Sequence, residues 1–176
     1  MHDSAYKDRT PPQTIDITTA PFKSSVLTVD AKWIDHNGHL NQSYYSWLFD
    51  LGLMEIFSAV GLGPPYIKAR NCSTMTVESH LCFIREVFAG DPVRVSAQFI
   101  DVDDKRLHMY CELHHETEGW LSCTSEWMEL HIDMTTRKTA PWPADIRATL
   151  DAMKAASDKL PRPPRAGRSI GIPRRG

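Results

Sequence analysis

The sequence predicts an α+β fold in which an antiparallel, curved sheet wraps one long buried helix. Three observations carry this. The segment from Gln42 to Val60 is apolar around most of its helical circumference, with a narrow polar stripe through Ser43, Ser46 and Asp50, so the rest of the chain must cover it. One strand-like stretch precedes it and four follow it, each with the period of two of a half-buried strand. The connections among those four are short, which predicts an antiparallel meander.

Taken in order, residues 1–22 are polar, contain Pro11, Pro12 and Pro21, and read as a loose lead-in to a domain over 23–143. From Ser25 onward Leu27, Val29, Ala31 and Trp33 share one strand face, and Thr28, Asp30 and Lys32 the other. A strand continuing to Asp35 would turn that carboxylate toward the apolar side. D-H-N-G-H-L-N then reads as a turn, with Asn41 as the N-cap of the long helix, and Gly61, Gly63, Pro64 and Pro65 as its end. The strands that follow are Ser73–Val87, with Met75, Val77, Leu81 and Phe83 on one face, then one with Val93, Val95, Ala97 and Phe99 inward. Leu107, Met109, Cys111 and Leu113 mark the next. The last strand carries Leu121, Cys123 and Trp127 on one parity and Met128, Leu130 and Ile132 on the other, which predicts a bulge or burial on both faces. Residues 144–160 read as an amphipathic helix with Ile146, Leu150 and Met153 on one side, and 161–176 as a basic, Pro- and Gly-rich disordered tail.

At 176 residues and 20.0 kDa, this is one domain plus a tail, large enough to hold together without disulfides or metal. The net charge of −2 is unevenly placed. The tail holds five arginines and no acid, leaving residues 1–160 with fifteen basic and 22 acidic side chains. An acidic body argues against a nucleic-acid-reading surface. Cys72, Cys82, Cys111 and Cys123 form no C-x-x-C pair and read as free thiols of a reducing compartment. With no signal-peptide pattern and no long uncharged apolar run, a cytoplasmic protein without a membrane span is expected.

Chemistry-bearing side chains are densest in the turn. Asp35 can serve as base or nucleophile, His39 can carry a proton, and Asn37 and Asn41 can orient a water or a carbonyl. Gly38 permits close backbone approach. The helix starting at Gln42 adds unpaired N–H groups at a positive dipole end, suited to a developing oxyanion. A plain capped turn would use the same residue types. Other chemistries fail on pattern: there is no G-x-S-x-G, Gly61-Leu62-Gly63 lacks the rest of a dinucleotide loop, and His108, His114 and His115 have no matching metal-ligand set. No metal and no cofactor is expected.

W-I-D-H-N-G-H-L-N followed by an aromatic-rich helix resembles the 4-hydroxybenzoyl-CoA thioesterase family of the hot-dog fold, whose D-x-x-G-H-x-N motif falls on Asp35, Gly38, His39 and Asn41. F-I-R-E-V-F-A-G-D, from Phe83 to Asp91, resembles that family's second-strand pattern. The D-x-N-x-H core with a later R-E is also similar to plant acyl-carrier-protein thioesterases, mapping onto Asp35, Asn37, His39 and Glu86. T-V-E-S-H (Thr76 to His80), R-E-V (Arg85 to Val87) and D-V-D-D-K-R-L-H (Asp101 to His108) resemble the betainyl-CoA thioesterases of carnitine breakdown, in their stand-alone form.

The resemblance implies an acyl-CoA hydrolase. Asp35 would attack the thioester carbonyl or activate water, and the Gln42 N–H would polarise that carbonyl. His39 and Asn37 would hold geometry or relay a proton, with Glu86 as a second acid or base, or else a salt-bridge partner of Arg85. It implies a homodimer or a dimer of dimers. A quaternary ammonium substrate would seek aromatic faces, with Trp33, Tyr45, Trp47 and Trp127 as candidates, or core residues otherwise. Lys105 and Arg106 are candidates for the CoA phosphates. Two other readings stand beside this one: a hot-dog acyl-thioester dehydratase, which would release no thiol, and a non-catalytic acyl-CoA-binding sensor, which would bind without turnover.

Overall fold

The structure, a computed structural model, describes residues 15–172. The expectations for a loose lead-in over 1–14 and for the tail's end at 173–176 lie outside the described residues. The first strand, β1 (Phe22–Thr28), begins inside the expected lead-in, because Phe22 is buried and meets the Phe99 ring edge-on at 5.2 Å. It also ends earlier than its alternation predicts. The Asp30 carboxylate accepts the Lys32 N–H at 2.9 Å and starts a 3-10 turn over Ala31–Trp33. That local bond competes with strand pairing, so the parity that would have turned Asp35 inward stops before it.

The long helix α1 (Gln42–Val60) has the expected bounds. Asn41 Oδ1 accepts the Ser43 N–H at 3.0 Å, and Gly61 closes the helix at φ 90°, a left-handed conformation in which a side chain would be strained. Leu48, Phe49 and Ile56 are wholly buried, each such side chain contributing about 1.5–3 kcal/mol of apolar transfer. The prolines that end α1 also begin a helix that the sequence reading passed over. Pro64 opens α2 (Pro64–Arg70) at the position where a missing N–H costs nothing.

Five further strands follow: β2 (Cys72–Phe83), β3 (Pro92–Val102), β4 (Arg106–His115), β5 (Leu121–Asp133) and the short β6 (Lys138–Thr139), then α3 (Ala144–Ser157). All pairings are antiparallel, but the order is β1-β3-β4-β5-β2, with β6 on β5. The expected four-strand meander is therefore corrected to three strands, β3, β4 and β5. The segment after β2 crosses to the other side of the sheet before β3 begins, leaving β2 as an outer strand paired only with β5 among these strands. The curved sheet wraps α1, whose helix runs against β1 and β3.

The inner face of β3 and β4 matches the sequence reading, with Val93, Val95, Ala97, Leu107, Met109, Cys111 and Leu113 all wholly buried. β5 matches in part. Its inner parity runs without a flip through Cys123, Ser125, Trp127, Glu129 and His131, and on the other face Ser122, Thr124 and Ile132 are buried while Met128 and Leu130 are half-buried, so burial reaches both faces at its ends. The bulge is in the neighbouring strand, where the β2–β5 register shifts between Thr76 and Glu78. The tail is also better held than expected. Gln98 Nε2 donates to the Pro161 carbonyl at 3.2 Å, and the Gly167 N–H donates to Glu126 at 2.7 Å, so the described part of the segment lies against the outer face of the sheet. No single helix among the described residues is long and apolar enough to cross a membrane.

Candidate active site

The turn predicted before α1 is a clipped loop. Ile34 and Leu40 form an isolated bridge, the Asp35 N–H donates to the His39 carbonyl at 3.0 Å, and the Gly38 N–H donates back to Asp35 O at 3.0 Å. Gly38 has φ 86°, so glycine is required by the turn itself. The Leu40 N–H donates to Val87 O, and the Asn41 N–H to Trp33 O, both at 2.9 Å. These two bonds tie the loop to the segment after β2 and fix where α1 begins.

Within this loop the Asp35 carboxylate accepts the Asn37 N–H at 2.8 Å, and its side chain is only 14% exposed. His39 Nδ1 lies 3.1 Å from the Leu40 carbonyl, to which it donates, and 3.9 Å from Asp35 Oδ1. The other ring nitrogen faces Glu86 Oε1 at 3.7 Å. Arg85 turns away, lying 4.1 Å over the Trp120 ring and 3.9 Å from Glu118. Of the two readings of Glu86, the contact seen is thus with His39. Asp35, Asn37, His39, Asn41, Gln42, Tyr45 and Glu86 line one cavity of about 480 Å³, within the usual size range of small-molecule sites. Gln42 is the first residue of α1, where an N–H has no acceptor within the helix.

The remaining candidates do not gather there. Trp33 stacks on Tyr44, ring centroids 5.6 Å apart, and Tyr45 packs edge-on against Phe83 at 5.1 Å. Burial pushes the Tyr45 phenol up, and its ring forms part of the cavity wall. Trp47 is not among that cavity's lining, and Trp127 lines a different one. The four rings therefore do not form one cage. Lys105 precedes β4 and Arg106 begins it opposite Leu130, whereas Phe83 pairs with Cys123 at the other end of β5. Seven residues of strand, about 23 Å, separate those ends. The Arg106 guanidinium is engaged by Asp103, whose carboxyl it holds down to about 2.

The second cavity, about 290 Å³, was not foreseen. It lies between α1 and the far end of β2 and β5, lined by Asp50, Phe57, Tyr66, Thr76, Trp127 and Glu129 among others. Glu129 is 2% exposed and accepts from the Thr76 hydroxyl. Burial and the neighbouring Asp50 charge push its carboxyl up to about 7. Behind it, His131 Nδ1 donates to the Ala140 carbonyl at 2.9 Å, leaving Nε2 to accept from the Tyr66 hydroxyl at 2.7 Å. Burial pushes the Cys123 thiol up to about 12 and Cys111 higher still, so neither of these two is poised as a nucleophile.

Residues 29–150 match the family model of the thioesterase-like superfamily. A betainyl-CoA thioesterase of Pseudomonas aeruginosa is 34% identical over 155 residues, which cover 85% of this chain and 98% of that protein. An L-carnitine dehydrogenase/betainyl-CoA thioesterase of Rhizobium meliloti is 30% identical over 165 residues, covering 94% of this chain, which spans only 33% of that longer relative. Among solved structures, a Staphylococcus aureus protein in complex with CoA superposes with a TM-score of 0.80 at 25% identity, covering 94% of this chain and 99% of its own. A putative thioesterase of Pseudomonas putida superposes at 0.73 with 30% identity, covering 85% of this chain and 95% of its own.

Proposed function

The chain belongs to the thioesterase-like superfamily, and on that premise we propose that it hydrolyses a small acyl-CoA thioester, of the betainyl class, to the free acid and CoA. The observation that carries this is the convergence in one cavity of a shielded carboxylate, Asp35, with the amino-terminal tip of α1. A thioester carbonyl laid between them meets an oxygen base on one side and the Gln42 N–H on the other. Water adds to the carbonyl carbon as Asp35 takes its proton, and the Gln42 N–H holds the oxyanion that forms. The C–S bond then breaks, and the CoA thiolate takes up a proton, with His39 placed between Asp35 and Glu86 to relay it. Direct attack by Asp35 would pass instead through an acyl anhydride opened by water. Both routes ask the same of the carboxylate: an ionised oxygen held beside the carbonyl.

A homodimer built through β2 fits this chemistry. β2 is twelve residues long and lies at one end of the sheet order, with Val77 56% and Phe83 52% exposed. A long apolar edge of this kind recruits another strand. An antiparallel pair of β2 strands about a two-fold axis would lay the Phe83 end of one protomer beside the Cys72 end of the other. The Asp35 loop of one would then adjoin the Glu129 cavity of its partner. The direct test is thiol release, read with Ellman's reagent, across a panel of acyl-CoAs. Turnover supports hydrolysis, an intact thioester with altered acyl group would mark a dehydratase, and binding without either would mark a sensor.

A further inference from the structure

We propose that the cavity between α1 and the Cys72 end of β2 is the acyl pocket, and that Glu129 selects there an acyl group bearing a quaternary ammonium over a neutral one of the same shape. This rests on the proposed hydrolysis of an acyl-CoA and on the proposed β2 dimer, which sets this cavity against the partner's Asp35 loop, and it names the chemistry by which that substrate is recognised. Size comes first. At about 290 Å³ the cavity falls just under the ~300 Å³ at which drug-sized sites begin, a size that suits a short acyl group. Its walls combine what an alkylated ammonium needs. Trp127, Phe57 and Tyr66 are aromatic, and ring faces attract a cation that cannot donate hydrogen bonds. The Glu129 carboxyl on β5 adds a buried acid to those walls, and Asp50 of α1 lines the same cavity.

Glu129 is the telling residue. A carboxylate this buried is costly unless a cation answers it, and its hydrogen-bond partner in the structure is a neutral hydroxyl, Thr76. Burial outweighs the Thr76 hydrogen bond, which favours the ionised form, and the Asp50 charge adds to the burial; none of the causes traced among the described residues is a lysine, arginine or histidine. The register shift between Thr76 and Glu78 sits beside it, the kind of local irregularity that re-aims a side chain. A bound ammonium supplies Glu129 with a counter-charge and draws it into its ionised form.

The test compares two ligands of equal shape: the betainyl group, (CH3)3N+–CH2–CO–, and its carbon isostere, 3,3-dimethylbutyryl. Calorimetry with the thioether CoA analogues of each, in which a methylene replaces the carbonyl, reads the pocket without turnover. The wild-type protein is expected to bind the cationic analogue at least about tenfold more tightly. Glu129→Gln, which keeps the acceptor for Thr76, is expected to bring the two within about twofold, chiefly through weaker binding of the cationic analogue. Equal wild-type affinities, or a preference that survives Glu129→Gln undiminished, would overturn the assignment. Thiol release from the two thioesters separates this from the reading beneath it. A protein that binds the cation selectively yet releases no thiol keeps the pocket and loses the hydrolase.

Discussion

A peptide N–H can be removed at one kind of position without harming a helix, and Gln42 occupies it. It is the first residue of α1, and Asn41 before it is extended at φ −64°, ψ 139°, the conformation a following proline demands. Gln42→Pro is therefore expected to leave the melting temperature nearly unchanged and lower kcat by about 10²–10³-fold, the usual cost of losing one oxyanion donor. Wild-type kcat in a folded variant would remove that N–H from the chemistry. Glu129 yields a second expectation at the same scale. Its carboxyl is raised from 4.5 to about 7 in the folded protein. Between those values the unfolded chain gives up a proton that the folded chain retains, so stability falls as pH rises through that window, and the loss is complete above it. Glu129→Gln removes the penalty. It should resist denaturant better than wild type at pH 8, by at most about 3 kcal/mol, and equally at pH 4; a variant no more stable at pH 8 would contradict this. The two residues differ in how far the sequence disclosed them. The Asp35 loop is contiguous, so its chemistry is legible as a string of letters. Glu129 is flanked by Met128 and Leu130, and alternation there points the apolar residues inward; only the sheet pairing reveals that Glu129 continues the buried parity of Trp127.

Among the elements, α1 was the most legible, because a continuous apolar circumference and a good cap are local properties. Its approach to the sheet is not local. A Cβ on Gly52 would lie 2.5 Å from the Val95 Cβ, so helix and β3 meet where no side chain separates them. Gly52→Ala thus sets a helix-propensity gain of about 1 kcal/mol against a clash with an atom fixed to the backbone. The clash should win, lowering stability by about 1–3 kcal/mol in chemical denaturation, and an unchanged or raised midpoint would show the packing to be looser than this. Where other elements departed from the sequence reading, the physical reasons are of the same kind. The alternation through Trp33 is cut by a carboxylate that binds its own backbone, at Asp30. Pro64 and Pro65 stop one helix and start the next. The place of β2 depends on a connection that crosses the sheet, and nothing in its length or composition discloses which strand it will join.

For the whole molecule, the β2 edge is where the proposed dimer forms, and a sedimenting mass of about twice the 20.0 kDa chain is expected. Val77→Asp, placing a charge on that edge, should shift the protein toward monomer and reduce turnover together, since in the proposed dimer each site draws on both protomers. A monomer with full activity would contradict the shared site. The most direct test of the chemistry is Asp35→Asn, which keeps an oxygen to accept the Asn37 N–H and removes only the ionised carboxylate. Thiol release from betainyl-CoA should fall to the uncatalysed rate while the melting temperature stays within a few degrees of wild type. Near-normal release from that folded variant would take Asp35 out of the reaction and the proposed mechanism with it.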